Sequence, residues 1–166
     1  MALPDAMRAE LEELCSHYPQ KRAGLIPALH RVQAERGWLS PESLEELAEF
    51  FQLEPVEVYG VASFYPMFHL EPVGQHVISV CHNISCALRG AEQILAHVCE
   101  RTGARPGRKG TSPDGRFTVL RVECQGACAN APMLEVGGEY HEDLDLAKVD
   151  QVLDQLEGAQ LARGAR

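Results

Sequence analysis

Apolar residues recur every three or four positions through the first part of the chain and then give way to short, β-branched runs. Met7, Leu11, Leu14 and Tyr18 share a helical stripe, as do Leu25, Leu29 and Val32. The stretch "LSPESLEELAEFF" predicts a third helix, with Ser40 as cap, Pro41 at the first helical position and Glu42 at the positive helix end. Leu44, Leu47, Ala48 and Phe51 form its apolar face, and Pro55 opens a fourth helix through "VEVYGVASF". Pro66 and Pro72 close this region, with a linker expected near 69–74. Beyond it, "HVISV" (76–80) and "FTVLRVE" (117–123) read as strands. "MLEV" and "EYHE" flank Gly137-Gly138, the signature of a two-residue hairpin turn. Between the first two strands, "ALRGAEQILAHVCER" reads as one helix with Ala91, Ile94, Leu95 and Val98 on one face. The Gly/Pro-rich "TGARPGRKGTSPDGR" reads as an exposed loop. A closing helix carries Leu146, Val149, Leu153 and Leu156, and "GAQLARGAR" is expected to fray. The pattern predicts an α+β chain: a helical domain over 1–70, a mixed domain over 71–158 and a flexible tail over 159–166. No internal repeat is present.

Composition narrows the function classes. A hydrophobic fraction of 45% is enough for a true core, and no apolar run is long enough to span a bilayer, so direct membrane insertion is not expected. The net charge of −9 argues against general attraction to nucleic acid or anionic lipid. Most of it lies early: residues 1–70 carry 5 basic and 11 acidic side chains. The start, "MALPDAMRAELEEL", lacks the basic head, apolar middle and cleavage site of a signal peptide and the Arg-rich character of a transit peptide. A cytoplasmic chain is therefore expected, where structural disulfides are rare, so six cysteines point to metal or redox work.

Four of the six come as two close pairs, Cys81 with Cys86 and Cys124 with Cys128, each directly after a predicted strand. If those strands are neighbours, both loops leave the sheet at one end and four thiolates converge. Soft thiolates select iron–sulfur clusters, zinc or copper(I). The small residues Gly126, Ala127, Ala129 and Ala131 let backbone amides approach sulfur. Cys86 falls at a predicted helix start, which favours a thiolate, and Ile84, Leu88, Pro132 and Met133 lend apolar bulk. A plant-type ferredoxin needs a further cysteine at position 89, which is Arg89. A Rieske centre needs histidines in place of one pair, and a thioredoxin dithiol needs two intervening residues; neither is found. Spacing alone leaves structural zinc and a [2Fe-2S] cluster evenly matched.

Several separate segments, in the right order, resemble one family. "HRVQAERGWLSPESLEELAEFF", "EVYGVASFYPMF", "PVGQHVISVCHNISC" and "TSPDGRFTVLRVECQGACANAP" are similar to the thioredoxin-like [2Fe-2S] subunit of NADH dehydrogenases, the 24 kDa-type subunit of respiratory complex I. The resemblance implies an N-terminal helical bundle followed by a thioredoxin-like [2Fe-2S] ferredoxin domain. It implies that Cys81, Cys86, Cys124 and Cys128 ligate a single [2Fe-2S] cluster, and that FMN and NADH sit on a partner subunit. It implies a one-electron carrier of an NADH:quinone oxidoreductase, peripheral on the cytoplasmic side of the inner membrane, among other peripheral-arm subunits. A soluble NAD-linked formate dehydrogenase or NAD-reducing hydrogenase would use the same motif. A zinc-stabilised interaction module and a metal-free thiol–disulfide protein are the alternatives of another class. No dinucleotide fingerprint, P-loop or nucleophile–base pair is present, so the chain is expected to lack a complete active site of its own.

The remaining candidates have plainer readings. Cys15 and Cys99 stand at core-like helical positions and read as small buried hydrophobes. His82 reads as a solvent-facing loop residue, and His17, His30, His69, His76, His97 and His141 are scattered. Trp38 reads as packing. Phe64, Tyr65, Met67 and Phe68 read as a docking patch for a partner subunit, with core burial as the alternative. Arg101, Arg105, Arg108 and Lys109 read as a solvated basic loop, and Glu42, Glu45, Glu46 and Glu49 as a solvent face.

Overall fold

A computed structural model describes residues 3–107 and 110–163 of the chain. It divides into two compact units, Met1–Pro72 and Val73–Arg166. Arg108, Lys109 and residues 164–166 lie outside the described residues.

The first unit is helical. It contains α1 (Asp5–Ser16), a 3-10 turn (Lys21–Gly24), α2 (Leu25–Arg36), α3 (Pro41–Phe51) and α4 (Pro55–Phe64). Leu11, Leu29, Val32, Leu47 and Val58 meet at its centre and are almost entirely shut from solvent. Helix boundaries follow local chemistry. Gly37, at φ 82°, lets the chain turn left-handed after α2. Ser40 caps α3 by accepting a hydrogen bond from Ser43 N at 3.2 Å, with Pro41 at the first position. Glu54 and Glu57 bond reciprocally to start α4. Replacing Ser40 with alanine should lower stability by about 1 kcal/mol in a urea titration, the usual worth of such a cap.

Three readings change here. Glu46 is no part of a solvent face: it is 5% exposed and paired with Arg36 at 2.7 Å, because α3 is amphipathic over a wider arc than its leucines suggest. The aromatic cluster splits, with Phe68 buried against His30 while Phe64 and Met67 stay exposed. Tyr18 lies beyond the end of α1 and is exposed. Trp38 is half-buried.

The second unit is built on a four-stranded sheet in the order β2-β1-β3-β4. The strands are β1 (His76–Cys81), β2 (Phe117–Val122), β3 (Leu134–Val136) and β4 (Glu139–His141). β1 runs parallel to β2 and antiparallel to β3, and β3 and β4 form the hairpin at Gly137-Gly138. Both glycines have positive φ, 61° and 89°, as the tight turn requires. β1, flanked by β2 and β3, is buried along its last four residues. Ile78, Val80, Phe117, Val119 and Leu134 pack against α6 (Ala91–Thr102) and α7 (Leu146–Arg163).

The expected single helix over 87–101 is in fact two. A short α5 (Ile84–Leu88) stops at Arg89, and α6 restarts after Gly90 at φ 95°. Gly90 is the cause, since its left-handed backbone breaks the helical path. α7 runs on to Arg163, so residues 159–163 carry helix where the tail was expected to begin. Arg101 belongs to α6, not to a solvated loop, and ties to Asp150 and Asp154 of α7.

Candidate metal centre

Parallel pairing of β1 and β2 brings two cysteine-bearing loops to one end of the sheet. Cys81 is the last residue of β1 and stands opposite Val122 in the register. Cys124 follows Val122 by two residues, so the two strands leave the same end of the sheet side by side. Asn83 then caps α5, accepting from Ile84 N at 2.8 Å, and α5 carries Cys86 inward. Cys128 opens a 3-10 turn over Cys128–Asn130, which packs beside α5. The Ala131-Pro132 peptide that leads back to β3 is cis.

The two thiol pairs differ in surroundings. Cys81 and Cys86 are 2% and 1% exposed and pack with Ala91, Ala131 and Met133. Cys81 Sγ donates to the Glu123 carbonyl at 3.4 Å. Cys124 and Cys128 are exposed, with their sulfurs 3.7 Å apart. The Gly126 N–H donates to Cys124 Sγ at 3.4 Å.

Two of the thiols, Cys86 and Cys128, are shifted by their cysteine neighbours. Burial, then the hydrogen bond with Cys81, pushes the Cys86 thiol up to about 11, and the charges of Cys81 and Cys128 add to this. Cys128 is raised first by its hydrogen bond and charge interaction with Cys124, with Cys81 contributing, while the Ser85 hydroxyl pulls it down. Thiolates crowded in this way disfavour their own charge until a cation balances them, and a coordinating metal deprotonates a thiol outright. The donor chemistry therefore fits a soft-metal centre. Among the described residues no three His, Cys, Asp or Glu side chains form a ready-made group that could hold a metal ion. The thiols come as two pairs, a pattern that structural zinc sites and two-iron cores both use.

Other expectations around the thiols change as well. His82 is half-buried, 3.8 Å from the Glu123 carboxylate, because the parallel register places the first residues after β1 and β2 side by side. Ile84 and Leu88 form an exposed apolar rim, 71% and 82% accessible, whereas Met133 is buried beneath the thiols. Cys15 is buried in the helical core and Cys99 is half-buried against the sheet core. Sequence reading passed over Ser85, the Glu123 carbonyl and Tyr140, whose hydroxyl donates to the Gln125 carbonyl at 2.9 Å. No local spacing marks Tyr140, since its partner lies 15 residues away.

Comparison with known proteins adds three observations. The model of the thioredoxin-like [2Fe-2S] ferredoxin family matches residues 11–157. An NADH-quinone oxidoreductase subunit of Rhizobium meliloti (strain 1021) is 43% identical over 154 residues, 93% of this chain and 90% of its own. NADH-quinone oxidoreductase subunit 2 of Thermus thermophilus is 42% identical over 146 residues, 86% of this chain and 80% of its own. Among solved structures, a chain of an NAD+-reducing [NiFe]-hydrogenase in the air-oxidized state superposes with a TM-score of 0.72 at 27% identity. That match covers 82% of this chain and 23% of the hydrogenase chain.

Proposed function

The chain belongs to the thioredoxin-like [2Fe-2S] ferredoxin family, and on that premise we propose that Cys81, Cys86, Cys124 and Cys128 hold one [2Fe-2S] cluster. The role that follows is a one-electron carrier subunit of an NADH:quinone oxidoreductase. The observation that carries this reading is the approach of two thiol pairs at the shared C-terminal end of β1 and β2. Relatives named as NADH-quinone oxidoreductase subunits, aligned over most of both chains, support the choice of complex. A [2Fe-2S] group held there would supply a couple that takes one electron at a time, which complements a flavin that receives hydride.

The chain's own residues set the conditions for that couple. Met133, Ala91 and Ala131 keep water from Cys81 and Cys86. The Gly126 N–H aimed at Cys124 favours added negative charge, which raises a potential. Cys124 and Cys128 face outward, and the apolar rim of Ile84 and Leu88 offers a surface for a partner to cover. That partner is the subunit carrying FMN and the NADH site, where the complete active site resides. Exposed Val56, Tyr59, Phe64 and Met67 give the helical unit a second docking patch for the peripheral arm. No described helix is long and apolar enough to cross a membrane; the peripheral position on the cytoplasmic side belongs to the reading drawn from the NADH-quinone oxidoreductase relatives.

The likeness to an NAD+-reducing hydrogenase favours one further reading, the same carrier role in a soluble NAD-linked assembly. The subunits that co-purify with the chain separate the two.

Metal analysis tests the cluster directly. Anaerobically purified or reconstituted protein should hold two irons and two acid-labile sulfides per chain. It should be red-brown and give a paramagnetic signal after dithionite reduction. Stoichiometric zinc without sulfide would refute the assignment.

A further inference from the structure

Tyr140 lies in β4, opposite Glu135 of the neighbouring strand. Its hydroxyl donates to the backbone carbonyl of Gln125 at 2.9 Å, with the Gln125 side-chain oxygen at 3.4 Å. That carbonyl belongs to the peptide unit whose other end is the Gly126 N–H, and the N–H donates to Cys124 Sγ at 3.4 Å. A trans peptide is a rigid plane with its C=O and N–H pointing in opposite directions. One bond to the oxygen therefore aims the hydrogen.

Something must aim it. Gly126 has φ 84°, and an added Cβ there would meet nothing within 4 Å, so no packing at this residue fixes the orientation of the peptide. The far end of the loop is tied elsewhere: Asp143 N donates to the Asn130 carbonyl at 2.7 Å, and Asn130 Nδ2 to Glu142 at 2.9 Å. At Gln125 the tie is Tyr140.

We propose that Tyr140 is a positioning residue, one that orients the Gln125–Gly126 peptide so that its N–H points at the Cys124 sulfur. Its effect on a cluster rests on the function proposed above. Hydrogen bonds to ligand sulfur raise an iron–sulfur potential, so Tyr140 sets the potential without touching sulfur or metal. Removing the hydroxyl frees the peptide to turn away, and the sulfur loses its amide donor.

Two measurements on Tyr140→Phe test this. In the reconstituted full chain, a redox titration followed by electron paramagnetic resonance should give a lower midpoint than wild type, with iron content and thermal midpoint unchanged. Gln125→Ala, which keeps the carbonyl, should leave the midpoint where it is. In the cluster-free chain labelled with nitrogen-15, the Gly126 amide of Tyr140→Phe should exchange with solvent about fivefold faster, the equivalent of one ordinary hydrogen bond. An unchanged midpoint or an unchanged exchange rate overturns the proposal. Should the wild-type chain take up no iron and sulfide, the cluster reading fails on its own. The exchange rate then still decides whether Tyr140 holds the peptide.

Discussion

Cys124→Ala should leave a chain that cannot retain a cluster, while Cys99→Ala retains it in full. The expected loss in metal affinity exceeds about 100-fold, because changes in the residues behind a ligand already cost roughly 10- to 100-fold. Alanine removes the sulfur without supplying another donor, and the geometry offers no nearby substitute. His82 is engaged toward Glu123, and the Ser85 hydroxyl is a hard donor already bonded to Cys128. Cys86→Ala should behave as Cys124→Ala does, despite its burial, since the buried pair supplies half of the donor set. Cys99 sits against the sheet core, and its loss should cost only packing. Iron and sulfide content, with the reduced-state resonance signal, reads the outcome. Equal loss from Cys124→Ala and Cys99→Ala would refute the division of the cysteines into ligands and packing.

Arg36→Leu is expected to destabilise the helical unit by about 3 kcal/mol. Arg36 ends α2 and donates to Glu46 at 2.7 Å and to the Ser43 hydroxyl at 2.7 Å. The Glu46 side chain is 4% exposed and that of Arg36 29%, so the carboxylate bears most of the desolvation. Without the guanidinium, a charge and a hydroxyl remain buried with no cation beside them. Turning both partners into leucine should recover most of the loss, because an apolar pair carries no such penalty. Urea titrations followed by helical circular dichroism would compare the single and double variants. A single variant within about 1 kcal/mol of wild type would show that solvent reaches Glu46 after all.

The legible parts of the molecule were those fixed by neighbours in sequence. Ser40-Pro41 announced α3, and Gly137-Gly138 announced the hairpin, because a cap and a tight turn are set by a few adjacent residues. The strands before each thiol pair were equally visible as β-branched runs. Gly90 was overlooked as a break because the apolar stripe beyond it continues in helical phase. Glu46 was misread for the opposite reason: nothing beside it in the chain shows that Arg36 will arrive from another helix. The same blindness hid Tyr140, whose contact exists only once the hairpin folds beside the second thiol loop. For the centre, spacing gave the pairs, whereas their convergence needed the parallel register of β1 and β2.

Because β1 and β2 run parallel, the stretch from Cys86 to Cys124 is a crossover that climbs back to the opposite rim of the sheet before descending again. Evolution therefore has unequal latitude along it. Within each thiol pair a single inserted residue would rotate a sulfur out of place. The return path has ties of its own to β2, from the Gly107 N–H to the Val119 carbonyl at 2.9 Å and from the Ser112 N–H to the Phe117 carbonyl at 2.7 Å, so added residues are absorbed between those anchors. Descendants of this architecture can lengthen that return path between its anchors while the two short ligand intervals stay frozen.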